Sequence, residues 1–181
     1  MNPDTVHYLN LFLGFGAILL QILSFVVLFL LFFYPRKTSF LDFIYKHSLP
    51  ILFFVTFVAS LFSLVYSDII NFLPCYLCWY QRVFMFPLVF IFSVAMWDKD
   101  KKAIKYTLPL ACIGFAISVY QNFFYYFTNS SNVVCDVSGA YCYQHLVSEF
   151  GGYISIPMLA LTVFVAVLTV ILVTHFYKKE N

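Results

Sequence analysis

Long runs of apolar residues, separated by short polar segments, dominate the hydrophobic pattern of the chain. An α-helix needs about 20 consecutive apolar residues to cross a hydrocarbon core roughly 30 Å thick. Five runs approach that length, at residues 9–34, 49–67, 76–97, 106–128 and 153–177. The bilayer core holds no water, so a spanning segment must satisfy its own backbone hydrogen bonds, as a helix does. The pattern therefore predicts an all-α polytopic membrane protein with five transmembrane helices.

The composition supports this prediction. Of the 181 residues, 63% are hydrophobic and 10% are charged, which is more apolar material than one water-soluble core of this size can bury. The opening residues 1–5 include no Lys or Arg, so we expect the first span to be retained rather than removed as a signal peptide. We divide the chain into residues 1–47, which hold the first helix and a basic loop, and residues 48–181, which hold the other four helices.

The placement of the basic residues predicts which segments face the cytoplasm. Three polar segments hold all but one of them, namely those after the first, third and fifth spans. These residues are Arg36, Lys37, Lys46, Lys99, Lys101, Lys102, Lys105, Lys178 and Lys179. Cytoplasmic loops are enriched in Lys and Arg, so the N-terminus and segments 68–75 and 129–152 should lie outside. The net charge of +2 gives no indication of a nucleic-acid-binding surface.

Four of the five cysteines fall at the two outer segments. Cys75 and Cys78 form a C-x-x-C sequence at the start of the third span, and Cys135 and Cys142 lie in the second outer segment. A compartment outside the cytoplasm permits disulfides, so the two pairs are two potential bridges. Cys112 falls in the middle of the fourth span, where we expect a small buried apolar side chain.

The C-x-x-C sequence has the features of a reactive pair. The third span enters the membrane from outside, so both cysteines lie at its N-terminus, where unpaired backbone N–H groups favour a thiolate. Arg82 follows Cys78 by four residues and therefore shares its helical face. A charged residue within a membrane helix is a functional candidate, and this cation could stabilise a Cys78 thiolate and an anionic reduced cofactor. The alternative is that Arg82 only extends to the lipid headgroups.

The outer segment 129–152 contains a second pattern. Its apolar residues recur at the spacing expected of a short helix lying on the membrane surface; they are Tyr143, Leu146, Val147 and Phe150. Such a helix would hold Cys142 near the C-x-x-C pair and leave Cys135 on a mobile stretch. His145 could shuttle protons, although a solvated loop histidine is the simpler interpretation.

Three features of the chain can be taken together. They are the motif Cys75-Tyr-Leu-Cys78-Trp-Tyr-Gln-Arg82, the second outer cysteine pair, and Ile154-Ser-Ile-Pro157 at the start of the last span. Over about residues 48–177 the chain resembles the DsbB/BdbC family of membrane disulfide-bond-formation proteins. The resemblance implies a four-helix bundle that reoxidises a thioredoxin-fold thiol oxidase of the DsbA or BdbD type. It also implies that the electrons pass to ubiquinone or menaquinone, in a bacterial cytoplasmic membrane with both cysteine pairs on the outer side.

The resemblance assigns roles to individual residues. Cys135 would form the mixed disulfide with the partner protein, and Cys142 would be its intramolecular mate. Cys75 would exchange with that pair, and Cys78 would contact the quinone beside Arg82.

The chain departs from the family pattern in three places. One is the distal cysteine pair, because only six residues separate Cys135 from Cys142, which resembles the shorter BdbC-like loops. The first helix, about residues 9–34, lies outside the four-helix core. Many relatives place a histidine near the outer end of the fourth span, where this chain has Gln121. Gln121 is a candidate for quinone binding because its amide can hydrogen-bond a quinone carbonyl, but it cannot protonate one.

Two other interpretations remain open. An enzyme of the vitamin K epoxide reductase type also couples a membrane C-x-x-C to a quinone, but Arg82 and the distal cysteine pair favour the DsbB type. A non-enzymatic membrane protein could bind structural zinc through the four outer cysteines, but their spacing is irregular for a zinc site. We therefore expect a quinone-dependent dithiol oxidoreductase without a metal site.

Overall fold

The computed structural model describes residues 3–33, 38–71, 74–127 and 153–177, and these residues form an all-α protein. The helices are α1 (Pro3–Phe33), α2 (Ser39–Lys46), α3 (Ser48–Leu64, continued by a π-helical turn at Val65–Ile69), α4 (Tyr76–Trp97), α5 (Ala103–Phe127) and α6 (Ile156–Phe176). All except α2 are long and apolar enough to cross a membrane. The prediction of five spanning helices is confirmed.

Helices α3 to α6 form a four-helix bundle in which each helix packs against the next and α6 closes against α3. The interior is largely apolar, and its largest fully buried side chains include Leu52, Leu88, Phe92 and Phe164. In lipid the surroundings are as apolar as the core, so close van der Waals packing holds the helices together. The bundle brings the end of α3, the start of α4, the end of α5 and the start of α6 to one end of the molecule.

A glycine sets the distance between α5 and α6. A Cβ atom at Gly114 would lie 2.2 Å from Cε1 of Phe164, whose ring is fully buried. Such a separation is far shorter than any non-bonded carbon contact. The absence of a side chain at Gly114 is therefore what allows the ring of Phe164 to lie against the backbone of α5.

Helix α1 lies beside this bundle and packs mainly against α6. Gln21 Nε2 donates to Thr162 Oγ1 at 2.7 Å, and Tyr153 Oη donates to Gln21 Oε1 at 3.0 Å. Nearer the start of α1, Tyr66 Oη donates to Asn10 Oδ1. Hydrogen bonds between membrane helices add to van der Waals packing, so α1 is joined to the bundle as a fifth helix at two levels.

The short helix α2 was not predicted from the sequence. It buries Leu41 and Ile44, while Asp42 and Lys46 stay exposed. From the segment between α4 and α5, Lys101 Nζ donates to the carbonyl oxygen of Tyr45 at 2.8 Å and lies 4.4 Å from the centre of its ring. Partial burial lowers the pKa of the Lys101 ammonium from its ordinary value. Helix α2 and the segment between α4 and α5 therefore meet at the same end of the bundle.

The expectation that Cys112 is buried was wrong. Its side chain is exposed on the outer surface of α5, whereas Ala111 and Gly114 face the interior. Lipid accepts an apolar side chain as readily as a protein core does. Hydrophobicity alone therefore does not distinguish the lipid-facing side of a membrane helix from its packed side.

Candidate redox site

Cys75 and Cys78 lie at the first turn of α4, as predicted. Cys75 is the N-cap residue and has an extended backbone, while Cys78 is the third residue of the helix. This geometry brings their Sγ atoms to 2.9 Å from each other. Cys75 is 3% exposed and Cys78 is half-buried. The two sulfurs are thus placed so that a disulfide bond of about 2.05 Å can form or break with little movement.

Gln121 reaches both sulfurs from α5. Its Nε2 atom lies 3.5 Å from Cys75 Sγ and 3.6 Å from Cys78 Sγ, and its side chain is 1% exposed. An amide N–H is a hydrogen-bond donor, and donors of this kind stabilise negative charge on the atom that accepts. The residue that the sequence analysis singled out for the cofactor therefore lies against the cysteine pair itself.

Two residues that the sequence analysis did not assign hold Gln121 in place. Gln81 Nε2 donates to Gln121 Oε1 at 2.8 Å and to Ser118 Oγ at 3.1 Å. Ser118 Oγ donates in turn to the carbonyl oxygen of Gly114 at 2.9 Å. Their polarity within otherwise apolar helices was the available signal, but only the packing of α4 against α5 shows what they contact.

Arg82 is fixed by α3. Its Nε donates to Ser63 Oγ at 2.9 Å, its Nη2 donates to the carbonyl oxygen of Ser63 at 2.8 Å, and its guanidinium lies 5.3 Å from the ring centre of Trp79. The side chain is half-buried. Arg82 thus follows Cys78 by one helical turn, as predicted, but its hydrogen bonds within the described residues go to α3 and not to a sulfur. The guanidinium is therefore held between α3 and α4.

The start of α6 closes the same end of the bundle. Ser155 caps α6 by accepting a hydrogen bond from the Met158 backbone N–H at 3.3 Å. Asn122, the neighbour of Gln121, donates to the carbonyl oxygen of Pro157 at 2.8 Å, and Tyr126 Oη donates to that of Tyr153 at 2.6 Å. The segment that leads into α6 is therefore tied to α5 beside the cysteine pair.

Several predicted features lie outside the described residues. These are Cys135, Cys142, His145 and the surface helix proposed near residues 143–150. Within the parts of the chain that the structure describes, no group of three or more His, Cys, Asp or Glu side chains is placed to hold a metal ion. Cys135 and Cys142, two of the four cysteines in the zinc hypothesis, lie outside those parts of the chain.

Known proteins match most of this chain. The family model described as "Disulfide bond formation protein DsbB" matches residues 45–174, which leaves α1 outside the match. Probable disulfide formation protein C 2 of Bacillus anthracis is 38% identical over 136 residues, covering 75% of this chain and 96% of the relative. Disulfide bond formation protein C of Bacillus subtilis is 38% identical over 126 residues, covering 70% and 91%.

A more distant relative is similar over almost its whole length. The probable disulfide formation protein of Chlamydia pneumoniae is 30% identical over 138 residues, covering 76% of this chain and 98% of the relative. No solved structure matches the chain. The extent of these matches favours the DsbB type over the vitamin K epoxide reductase and zinc-binding alternatives. The chain belongs to the DsbB family of disulfide bond formation proteins, and its five apolar helices make it a multi-pass membrane member of that family.

Proposed function

We propose that this protein oxidises the dithiol of a thioredoxin-fold partner outside the cytoplasm and delivers the electrons to a membrane quinone. The observation that carries the proposal is the Cys75–Cys78 pair, whose sulfurs lie 2.9 Å apart at the first turn of a membrane-spanning helix. A buried amide donor faces both sulfurs, and a cation follows one turn later. Membership of the disulfide-forming family supports the same chemistry.

The proposed electron path uses two thiol–disulfide exchanges. The partner's thiolate attacks Cys135 of the Cys135–Cys142 disulfide, giving a mixed disulfide. The partner's second thiolate then attacks this mixed disulfide, and the partner leaves with its own disulfide formed. The Cys135–Cys142 dithiol reduces the Cys75–Cys78 disulfide in the same way, with Cys75 as the sulfur attacked. In each exchange one S–S bond forms as another breaks, so a pair of electrons and two protons move towards Cys78.

The residues near Cys78 fit a quinone. Trp79 is exposed on the lipid side of α4, where an apolar quinone is soluble. Within the described residues, Ser63 accepts from two of the five N–H donors of Arg82. The other donors of Arg82, and the amide of Gln121, would donate hydrogen bonds to a quinone carbonyl oxygen. A bound ubiquinone or menaquinone would take up two electrons and two protons as the Cys75–Cys78 disulfide re-forms.

The test is anaerobic mixing of the purified full-length protein with a short-chain quinone and a reduced DsbA-like protein. We expect quinol to form in step with oxidation of the partner. Cys78→Ser should stop quinol formation yet still allow a trapped complex with the partner through Cys135, whereas Cys135→Ser should stop transfer from the partner. Cys112→Ser, at the lipid surface of α5, is the control and should turn over like the parent.

Two results would count against the proposal. One is the absence of quinol formation by the parent protein with a partner that it binds. The other is equal residual turnover in Cys78→Ser and Cys135→Ser, which would mean that the two cysteine pairs do not carry out separate steps.

A further inference from the structure

The orientation of the Gln121 amide decides how it affects the cysteine pair. One end of the amide is an N–H2 group, which donates hydrogen bonds and stabilises negative charge on sulfur. The other end is a carbonyl oxygen, which would repel that charge. In the structure the N–H2 group lies 3.5 Å from Cys75 Sγ and 3.6 Å from Cys78 Sγ. An amide side chain can turn over, so some contact must favour this orientation.

Gln81 supplies that contact. Both of its Nε2 hydrogens are directed to acceptors, one to Gln121 Oε1 at 2.8 Å and the other to Ser118 Oγ at 3.1 Å. Ser118 can accept because its own hydroxyl hydrogen goes to the carbonyl oxygen of Gly114. If the Gln121 amide turned over, its N–H2 group would face the N–H2 group of Gln81. Gln81 is 7% exposed and Gln121 is 1% exposed, so water would not relieve the loss of that hydrogen bond.

We propose that Gln81 is a positioning residue for the Cys75–Cys78 pair. Held by Ser118, it fixes the Gln121 amide as a donor to whichever sulfur becomes a thiolate during exchange. The role deepens the proposed function and rests on it, since a purely structural cysteine pair would not need a stabilised thiolate. When an incoming thiolate attacks one sulfur of the disulfide, a new S–S bond forms there and the old bond breaks. Its electron pair stays on the other sulfur, and Gln121 is within reach of either one.

The proposal is tested on the full-length protein with Cys112, Cys135 and Cys142 replaced by serine, so that only the Cys75–Cys78 disulfide reacts. The measurement is the rate constant for its reduction by dithiothreitol, which becomes the cyclic disulfide as the protein pair gains two electrons and two protons. Gln81→Met keeps the length of the side chain and removes the donor. We expect it to lower the rate constant on the order of tenfold, the size expected for a hydrogen bond to a charged group.

A double-mutant cycle separates positioning from a general structural effect. Gln81 acts through Gln121, so Gln81→Met should have no further effect when Gln121 is already Met. Ser118→Ala should give a smaller fall of about threefold, also lost in the Gln121→Met background. Thr107→Ala is the control, since this buried hydroxyl donates to the Ile104 carbonyl of its own helix, and it should react at the parental rate.

The proposal is overturned if Gln81→Met reacts at the parental rate, or if it lowers the rate by the same factor with Gln121 present or replaced. If Gln81→Met does not fold, Ser118→Ala makes the same comparison. A decrease in its rate constant no larger than that of Thr107→Ala would then reject the positioning role of Gln81. No quinone or partner protein takes part in this reaction. Failure of the proposed function would instead appear as absent quinol formation by the parent protein.

Discussion

Arg82 and Gln121 lie near the same cysteine pair, yet different neighbours hold them. Ser63 on α3 accepts two hydrogen bonds from Arg82, whereas Gln81 on α4 fixes the amide of Gln121. A long charged side chain loses much rotational freedom when it is held in one place. Fixing it before a ligand arrives removes that cost from the binding step. Under the proposed function, the contact with Ser63 therefore has a measurable consequence for quinone use.

We predict that Ser63→Ala raises the quinone concentration needed for half-maximal turnover by roughly fivefold, or about 1 kcal/mol. The change removes the hydroxyl that accepts from Arg82 Nε but leaves the backbone carbonyl contact. The measurement is steady-state quinol formation across a quinone concentration series. Arg82→Met should need a still higher quinone concentration for half-maximal turnover. Ser60→Ala is the matched control because the buried Ser60 hydroxyl has no hydrogen-bond partner among the described residues. Equal behaviour of the two serine variants would contradict the prediction.

Part of this site could be predicted from the sequence. The spacing of the motif indicated that Cys75, Cys78 and Arg82 share the first turns of one helix, and the structure agrees. Ser63 and Ser118 were not found, because their contacts depend on how α3 and α5 are rotated about their axes. Lipid accepts apolar side chains on every face, so hydropathy does not fix that rotation.

At the scale of the helices, length and hydropathy predicted the five spans, and α4 was placed at residues 76–97 as observed. The short helix α2 was missed because its eight residues are too few to register as a span. Its apolar residues do recur at helical spacing, at Phe40, Leu41, Phe43 and Ile44. That period was the available signal for a short helix with one apolar face.

The packing of α5 against α6 leads to a stability prediction. Gly114→Ala should destabilise the protein by about 1–3 kcal/mol, the usual cost of adding a methyl group to a filled core. The added Cβ would meet the buried ring of Phe164 at 2.2 Å. Gly16→Ala in α1 is the control, since a Cβ there has nothing within 4 Å and alanine favours a helix. In thermal unfolding in one detergent, Gly114→Ala should have a lower Tm than the parent protein, whereas Gly16→Ala should not. Equal Tm values for the two variants would contradict this packing.

The whole molecule consists of a family core and an added helix. The family match covers residues 45–174, close to the boundary that the sequence analysis placed between residues 47 and 48, and this division remains a proposal. Helix α1 is bound to the core through Gln21 and Asn10. Because Tyr153 is one of its contacts, α1 also touches the segment that leads into α6. The added helix thus borders the end of the bundle that holds the cysteine pair.

The last prediction concerns the orientation of this bundle in the membrane. Nine of the ten Lys and Arg residues lie between α1 and α3, between α4 and the first turn of α5, or after α6. The contact of Lys101 with Tyr45 places the first two of these regions at one end. The cysteine pair lies at the other end. Since basic loops stay in the cytoplasm, reporters fused at Lys37, Lys101 and the C-terminus should report cytoplasm. A reporter inserted at Asn129 should report the outside. An external signal from any of the first three fusions would undo this assignment.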